Sequence, residues 1–288
     1  MSVHAARSGG YGRLVKGPTA LGSDPRRLIT LAVALAVTDF KLRFFGSVLG
    51  YLWQLMRPLL LFGVLYAVFS LFFEVGDDVR FFPVALLLGI VLFNFVAEST
   101  TGSVRSLVAR ESLVRKIEFP RLAVPMATVL TAIFNLALNL LPVFVFLLAA
   151  GGEPRWSWLE LPFLVLLLVL FVSGIAMLLS ALFVRYRDVE PIWDVVLQLM
   201  FYGSPVLYTL QMVADRTSPA VAHLLAVNPF AALLQQMRHA VIDPSHLSAA
   251  QALGGQARVL LPLLVIAVLV ALGYRVFSRE APRVAEDL

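Results

Sequence analysis

Ionisable side chains are scarce inside the apolar stretches of this chain, so each one found there is a candidate for chemistry. Arg57 lies within the first long apolar stretch, Glu98 late in the second, and Asp194 at the start of the fifth. At a rise of about 1.5 Å per residue, Arg57 and Glu98 fall within about two helical turns of each other in depth. They are expected to pair or to share a water-filled cavity, and in the second case Arg57 can attract a phosphate or another anion. Asn135 and Asn139 lie four apart on one helix face, where they can hydrogen-bond to another helix or to a ligand. Tyr51, Trp53, Trp193, Tyr202 and Tyr208 offer ring faces that could line a path for sugars or sit in interfacial belts.

Other chemistries lack their parts. No G-x-x-x-x-G-K-S/T loop occurs, so the chain has no phosphate loop of its own for ATP. The four histidines, His4, His223, His239 and His246, have no metal-ligand spacing. Cysteine is absent, and nothing resembles a nucleophile elbow. No catalytic, metal or cofactor-binding residue is therefore expected, and uphill movement would draw on a partner or an ion gradient. Glu98 and Asp194 both lie near span ends rather than at mid-membrane, which speaks against an ion-coupled transporter or channel, as does the lack of visible inverted repeats.

The elements that must position these residues are membrane helices. The 288 residues are 60% hydrophobic and 14% charged, against about 45–50% and about 25% in ordinary soluble domains. Crossing the hydrocarbon core takes about 20 apolar residues. Six stretches qualify: 48–73, 81–97 with a helical continuation to about 103, 122–152, 161–184, 195–214 and 259–277. The third is longer than one crossing requires and is expected to tilt or to begin with an interfacial piece. Residues 28–38 are too short to cross and are flanked by Arg26, Arg27, Lys41 and Arg43, which predicts a helix lying in the interface. The same residues mimic a secretory signal ending at Ala34-Leu35-Ala36, but cleavage there would leave Lys41 and Arg43 on the outer side. Residues 217–237 are uncharged yet interrupted by Asn228-Pro229, which predicts short re-entrant helices on the outer side.

Basic residues set the orientation. Seven lie between the start and Ser47, then Arg105, Arg110, Arg115, Lys116 and Arg121 follow the second span, Arg185 and Arg187 the fourth, and Arg275, Arg279 and Arg283 the sixth. The opposite side carries Arg80, Arg155, Arg216, Arg238 and Arg258. This asymmetry predicts a multi-pass protein with both termini in the cytoplasm. The net charge of +5 is thus a topology signal, and no nucleic-acid partner is expected. Within 103–120, charged Arg105, Arg110, Glu111, Arg115, Lys116 and Glu118 alternate with Leu107, Val108, Leu113 and Val114. That pattern predicts either a solvated surface loop that only sets topology or, more sharply, a short amphipathic helix that docks into a groove on a cytoplasmic partner.

Four blocks then show a family likeness. Asp39-FKLRFFGSVLGYLWQLMRP-Leu59 resembles the D-x-K-x-R-Y/F-x-x-S-x-L-G-x-x-W-x-x-x-x-P opening of the type-2 ABC transporter permeases that export polysaccharides. Glu111-SLVRKIEFPRLAVP-Met126, Arg187-DVEPIWDVVLQLMFYGSPVLY-Thr209 and Asn228-PFAALLQQMR-His239 resemble that family's further blocks, in the same order. The likeness runs from about Arg26 to Phe277, and it departs at Arg57, where the family commonly carries Asn or another polar residue.

The resemblance implies an all-α integral membrane protein of the bacterial cytoplasmic (inner) membrane, with six transmembrane helices, an N-terminal interfacial helix and outer re-entrant helices. It implies a tail at 1–24, a transmembrane domain at 25–278 and a second tail at 279–288. It also implies a homodimer that pairs with two copies of a separate ABC ATPase, on which ATP and Mg would bind, and a polyprenyl-diphosphate-linked glycan or teichoic-acid-like polymer as substrate. Arg105, Arg110, Glu111, Leu113, Arg115 and Lys116 would couple to the ATPase. Arg26, Arg27, Lys41, Arg43, Trp53, Arg57 and Glu98 would serve substrate entry, the basic residues attracting the diphosphate among the membrane lipids. Tyr202, Ser204, Pro205, Tyr208, Asn228 and Pro229 would form the outer gate. The nearest rival is a permease of the same superfamily that exports a drug or another lipid.

Overall fold

The computed structural model describes residues 25–44, 50, 52–72, 79–114 and 119–280, and among them every regular element is helical. Helix α1 (Pro25–Phe44) is followed by α2 (Leu52–Tyr66), whose end widens into a π-helical turn, Ala67–Phe72. Helix α3 (Phe82–Val104) leads to two single turns, α4 (Ser106–Ala109) and α5 (Glu111–Val114). Long helices α6 (Ala123–Ala149) and α7 (Glu160–Arg185) come next, and then α8 (Val189–Gly203). Short helices α9 (Leu210–Arg216), α10 (Pro219–Ala226), α11 (Pro229–Met237) and α12 (Ala249–Ala252) lead to α13 (Leu260–Glu280).

Among the described residues five helices are long and apolar enough to cross a membrane, or six if the bent pair formed by α10 and α11 is one span. Their centre is α3, whose Leu86, Leu87, Leu88, Ile90 and Val96 are shielded from solvent altogether. Helices α6 and α7 pack on two sides of it, and α13 lies along α7. The third span is one continuous 27-residue helix, without a separate interfacial piece. At about 40 Å it exceeds the roughly 30 Å of hydrocarbon, as a tilted span must.

Two expectations are corrected. The fifth apolar stretch, 195–214, is not one helix. Helix α8 begins six residues earlier and stops at Gly203 after 15 residues, about 22 Å, too short to cross alone. Pro205 is the cause: Ser204, the residue before it, is driven to an extended conformation (ψ 155°), and the helix cannot pass through. The docking segment is also not one helix. It breaks at Arg105 and Arg110 into α4 and α5, and each breaking arginine is drawn aside to an acid on another helix, Glu190 and Asp39 respectively. Arg115, Lys116 and Glu118 lie outside the described residues.

Two predicted elements are present. Helix α1 is not apolar enough to count among the spanning helices, and it lies against α6 with Ala32 and Ala36 buried. Helices α10 and α11 meet at 103° across Asn228-Pro229. There Asn228 is extended, as the residue before proline should be, and its Oδ1 accepts the Phe230 amide to cap α11.

A second apolar cluster gathers the basic segments at one end. Ala32 of α1, Leu107 and Val114 of the broken segment, Ala123 of α6, Val184 of α7 and Phe277 of α13 pack together there. The first and last described helices therefore meet at the same end, as the distribution of Lys and Arg requires.

Candidate functional site

A cavity of about 770 Å³ opens between α2, α3 and α6, with the end of α1 as one wall. Arg43, Trp53, Gln54, Arg57, Asn94, Glu98, Asn135 and Asn139 supply its polar lining, with Leu61, Val91, Phe95 and Leu136 as apolar wall. A groove this polar inside apolar helices has to be wet or occupied. Helix periodicity puts the residues there: Asn94 and Glu98 are four apart on α3, and Asn135 and Asn139 four apart on α6.

The expected cavity shared by Arg57 and Glu98 exists, but their expected ion pair does not. Glu98 binds Arg43 of α1 instead, and the same oxygen accepts Asn135 Nδ2 at 2.6 Å. Glu98 thus ties α1 and α6 to α3. Among the described residues Arg57 has no ion-pair partner, and it faces the cavity exposed. Asn135 makes the interhelical bond its position suggested, whereas Asn139 Nδ2 donates to the Asn135 carbonyl of its own helix at 2.9 Å. The Oδ1 atoms of both asparagines are buried and accept no hydrogen bond among the described residues.

Arg43 and Glu98 also border a second cavity of about 280 Å³, lined further by Asp39, Arg105, Arg110, Thr128 and Thr131. Their ion pair is the partition between the two spaces. Arg110 pairs with Asp39, one turn before Arg43 on α1, and Arg105 Nε reaches Glu190 of α8 at 2.6 Å. Of the residues expected to couple to an ATPase, Arg105 and Arg110 are held in this way, and Leu113 packs on the second apolar cluster. Of those expected at the entry, Arg43, Trp53, Arg57 and Glu98 meet at the cavity. Arg26 and Arg27 do not: they are exposed four turns back along α1, about 24 Å from Arg43. Lys41 is exposed and is not part of the cavity lining.

The residues expected at the outer gate lie together around the Pro205 break. Asn228 Nδ2 donates to Ser204 Oγ at 2.9 Å, and Tyr208 Oη donates to the Tyr202 carbonyl at 3.2 Å. The centre of this assembly is a residue that the sequence reading passed over. Arg238, 1% exposed, donates to the carbonyls of Ala85, Val206 and Tyr208 at 3.0–3.3 Å. It fastens α11 to α3 and to the unwound 204–209 strand at once. Gly89 makes room, because a Cβ there would stand 2.9 Å from the Val206 oxygen and 3.1 Å from the guanidinium. The available signal was an arginine closing a long uncharged run on the side where basic residues are rare.

Beyond Arg238 the chain is pinned by Asp243, which is 3.2 Å from Arg80 and 3.3 Å from Arg155. Burial works against its charge, but hydrogen bonds from Ser245 and the two guanidinium groups outweigh it and hold the carboxyl below its ordinary range. Burial, reinforced by the Arg238 charge, pushes the neighbouring His246 imidazole down to about 4, and its Nε2 has no partner. Trp193 is a structural aromatic, donating from α8 to Thr100 Oγ1 of α3 at 2.9 Å; Tyr51 lies outside the described residues.

Comparison with known proteins follows the same residues. The sequence pattern of the ABC-2 type transporters matches 30–242, from the second turn of α1 to the end of the turn that follows α11. Two O-antigen export system permease proteins RfbA of Klebsiella pneumoniae are each 30% identical over 212 residues, 73% of this chain and 80% of theirs. The protein of that name in Myxococcus xanthus is 29% identical over 204 residues, 71% of this chain and 77% of its own.

Proposed function

The chain belongs to the ABC-2 type transporter family, and from that premise we propose that it is the membrane permease of an ATP-driven exporter that moves a polyprenyl-diphosphate-linked polysaccharide, or a teichoic-acid-like polymer, across the bacterial cytoplasmic membrane. It is a transport subunit and not an enzyme, and ATP is hydrolysed on separate ATPase subunits. Two copies of this chain and two ATPases make the working unit, with both termini in the cytoplasm. The O-antigen export names of its relatives support the substrate class.

The observation that carries this reading is the polar cavity set among apolar helices, with an arginine on its wall that has no ion-pair partner among the described residues. A lipid-linked glycan has a tail that remains in hydrocarbon, an anionic head that needs a cation, and sugars that need hydrogen bonds. Exposed Arg26, Arg27 and Lys41 on the interfacial helix gather the anionic head at the membrane surface. Arg57, Arg43 and the amides take it beneath the headgroup layer. Movement of the ATPase reaches α1 through Arg110–Asp39 and α8 through Arg105–Glu190. Helix α8 ends at Gly203, just before the Ser204–Pro205 break where Asn228 and Arg238 hold the outer gate. A push at one end of α8 is thereby delivered to the other.

Depletion of the protein in its host tests the proposal, with lipid-linked glycan assayed inside and polymer at the surface. Accumulation of polyprenyl-diphosphate polymer inside, with loss outside, is the expected result. Unchanged glycans in both places would defeat it and turn attention to drug or other lipid efflux.

A further inference from the structure

The large cavity is chemically unbalanced in two ways, and together they describe a ligand. Arg57 faces it with no anion among the described residues, while Arg43 faces it with its charge taken up by Glu98. Asn135, which shares the Glu98 oxygen with Arg43, and Asn139 also line the cavity; they are 1% and 7% exposed, and the buried Oδ1 of each has no hydrogen-bond donor among the described residues. Turning the Asn135 amide over would not help, because its Nδ2 is committed to the Glu98 carboxylate. A buried acceptor left without a donor is costly, so a small turn of either side chain that brings its oxygen to the cavity surface is favoured once an occupant offers a hydroxyl or amide donor there. An anion with hydroxyl donors close beside it is what the lining requires.

We propose that the cavity is the binding site for the sugar–diphosphate junction of the lipid-linked glycan, and that Glu98 is a built-in competitor for the diphosphate. This rests on the function proposed above. Arg57 takes one phosphate. The second phosphate displaces the Glu98 carboxylate from Arg43, so that two arginines face two negative charges. Asn135 and Asn139 accept from hydroxyls of the first sugar, and Trp53 offers its ring edge or face beside them. The displaced carboxylate is not stranded, since Glu98 also borders the second cavity, where Arg105 and Arg110 lie. A volume of about 770 Å³ suits a headgroup of this size and falls inside the usual range of small-molecule sites. A phospholipid with a single phosphate would need Arg57 alone and would leave Arg43–Glu98 closed.

The test uses the full chain in phosphatidylcholine nanodiscs and three probes: farnesyl diphosphate carrying one N-acetylglucosamine, bare farnesyl diphosphate, and phosphatidylglycerol. Wild-type protein should prefer the glycosylated probe to the bare one, and both to phosphatidylglycerol. Arg57→Gln should weaken both diphosphates about tenfold, the scale of a charge-assisted contact. Glu98→Gln keeps an acceptor for Asn135 but removes the competing charge. It should tighten both diphosphates about two- to fivefold and leave phosphatidylglycerol unchanged. Asn139→Ala should erase the preference for the glycosylated probe.

Weaker or unchanged diphosphate binding in Glu98→Gln would overturn the competitor role. Equal binding of phosphatidylglycerol would make the cavity a lipid site, and a preference that survives Asn139→Ala, or is absent from the wild type, would remove the sugar contact. If depletion still blocks glycan export while this pattern fails, the site assignment falls and the transport function stands.

Discussion

Changing Gly273 to alanine is the sharpest packing perturbation this fold offers. Helix α13 buries Pro262, Ile266, Gly273 and Phe277, a single seam with spacings of four, seven and four, and that seam lies on α7. At the closest point a Cβ on Gly273 would sit 2.2 Å from the Gly174 carbonyl oxygen and 3.1 Å from its carbon. Carbon and oxygen meet at about 3.3 Å or more, so the helices must part by about 1 Å. Both sides are backbone, and no rotamer change relieves the clash. A gap of about 1 Å forfeits up to half of each dispersion contact along the seam. With overpacking at about 1–3 kcal/mol, this backbone-on-backbone case belongs at the upper limit, about 3 kcal/mol.

A Cβ on Gly174 would meet Leu269 and Val270 backbone at 2.8 Å, a smaller intrusion, and should cost less. Gly63 has nothing within 4 Å of a built Cβ, so Gly63→Ala should be neutral or slightly stabilising. The assay is the thermal loss of monodisperse protein in detergent, followed by size-exclusion fluorescence. The predicted order of stability is Gly63→Ala, then Gly174→Ala, then Gly273→Ala. A Gly273→Ala protein as stable as Gly63→Ala would refute the geometric argument.

Three further predictions concern Arg238, His246 and the Arg110–Asp39 pair. Arg238→Met strips the carbonyls of Ala85, Val206 and Tyr208 of their shared donor and should cost about 3–5 kcal/mol in melting experiments. Arg238→Lys should fall between, because one ammonium cannot span three acceptors; a Met variant that melts with the wild type would contradict the role. His246 is depressed to about 4 in the folded protein, so between about 6.5 and 4 the unfolded chain binds the extra proton and stability falls as pH falls. At pH 5 this amounts to about 2 kcal/mol, and the protonation of Asp243, also held low, adds in the same direction below that. His246→Gln should flatten the melting temperature between pH 7 and 5, and an unchanged slope would count against it. Arg110→Asp should reduce export severalfold and Asp39→Arg should restore most of it in the double variant, measured as surface polymer. Failure of the swap to rescue would show that the pair does not transmit force.

Sequence alone carried the membrane class, the helix order and the single basic end, because hydropathy and charge asymmetry are local properties that lipid enforces. It also carried the Asn228-Pro229 bend, since proline constrains its neighbour wherever it stands. The same rule at Ser204-Pro205 could have ended the fifth helix at Gly203, but the apolar run on either side masked it. Partner choice was not legible. Depth counting brought Arg57 and Glu98 to one cavity, yet it could not see that α1 folds back along α6 and delivers Arg43 first. Arg238 escaped notice because its acceptors are three main-chain carbonyls from two segments up to 153 positions away, and backbone carbonyls leave no residue-type signature.

The central claim is that this chain moves a lipid-linked glycan when its ATPase turns over. Proteoliposomes holding the permease with its ATPase, and a short lipid-linked glycan in the leaflet facing the ATPase, allow that movement to be read with an impermeant lectin in the opposite compartment. The account predicts lectin binding that requires ATP and is lost when Arg57 becomes Gln. ATP hydrolysis at full rate with no glycan reaching the lectin would contradict it.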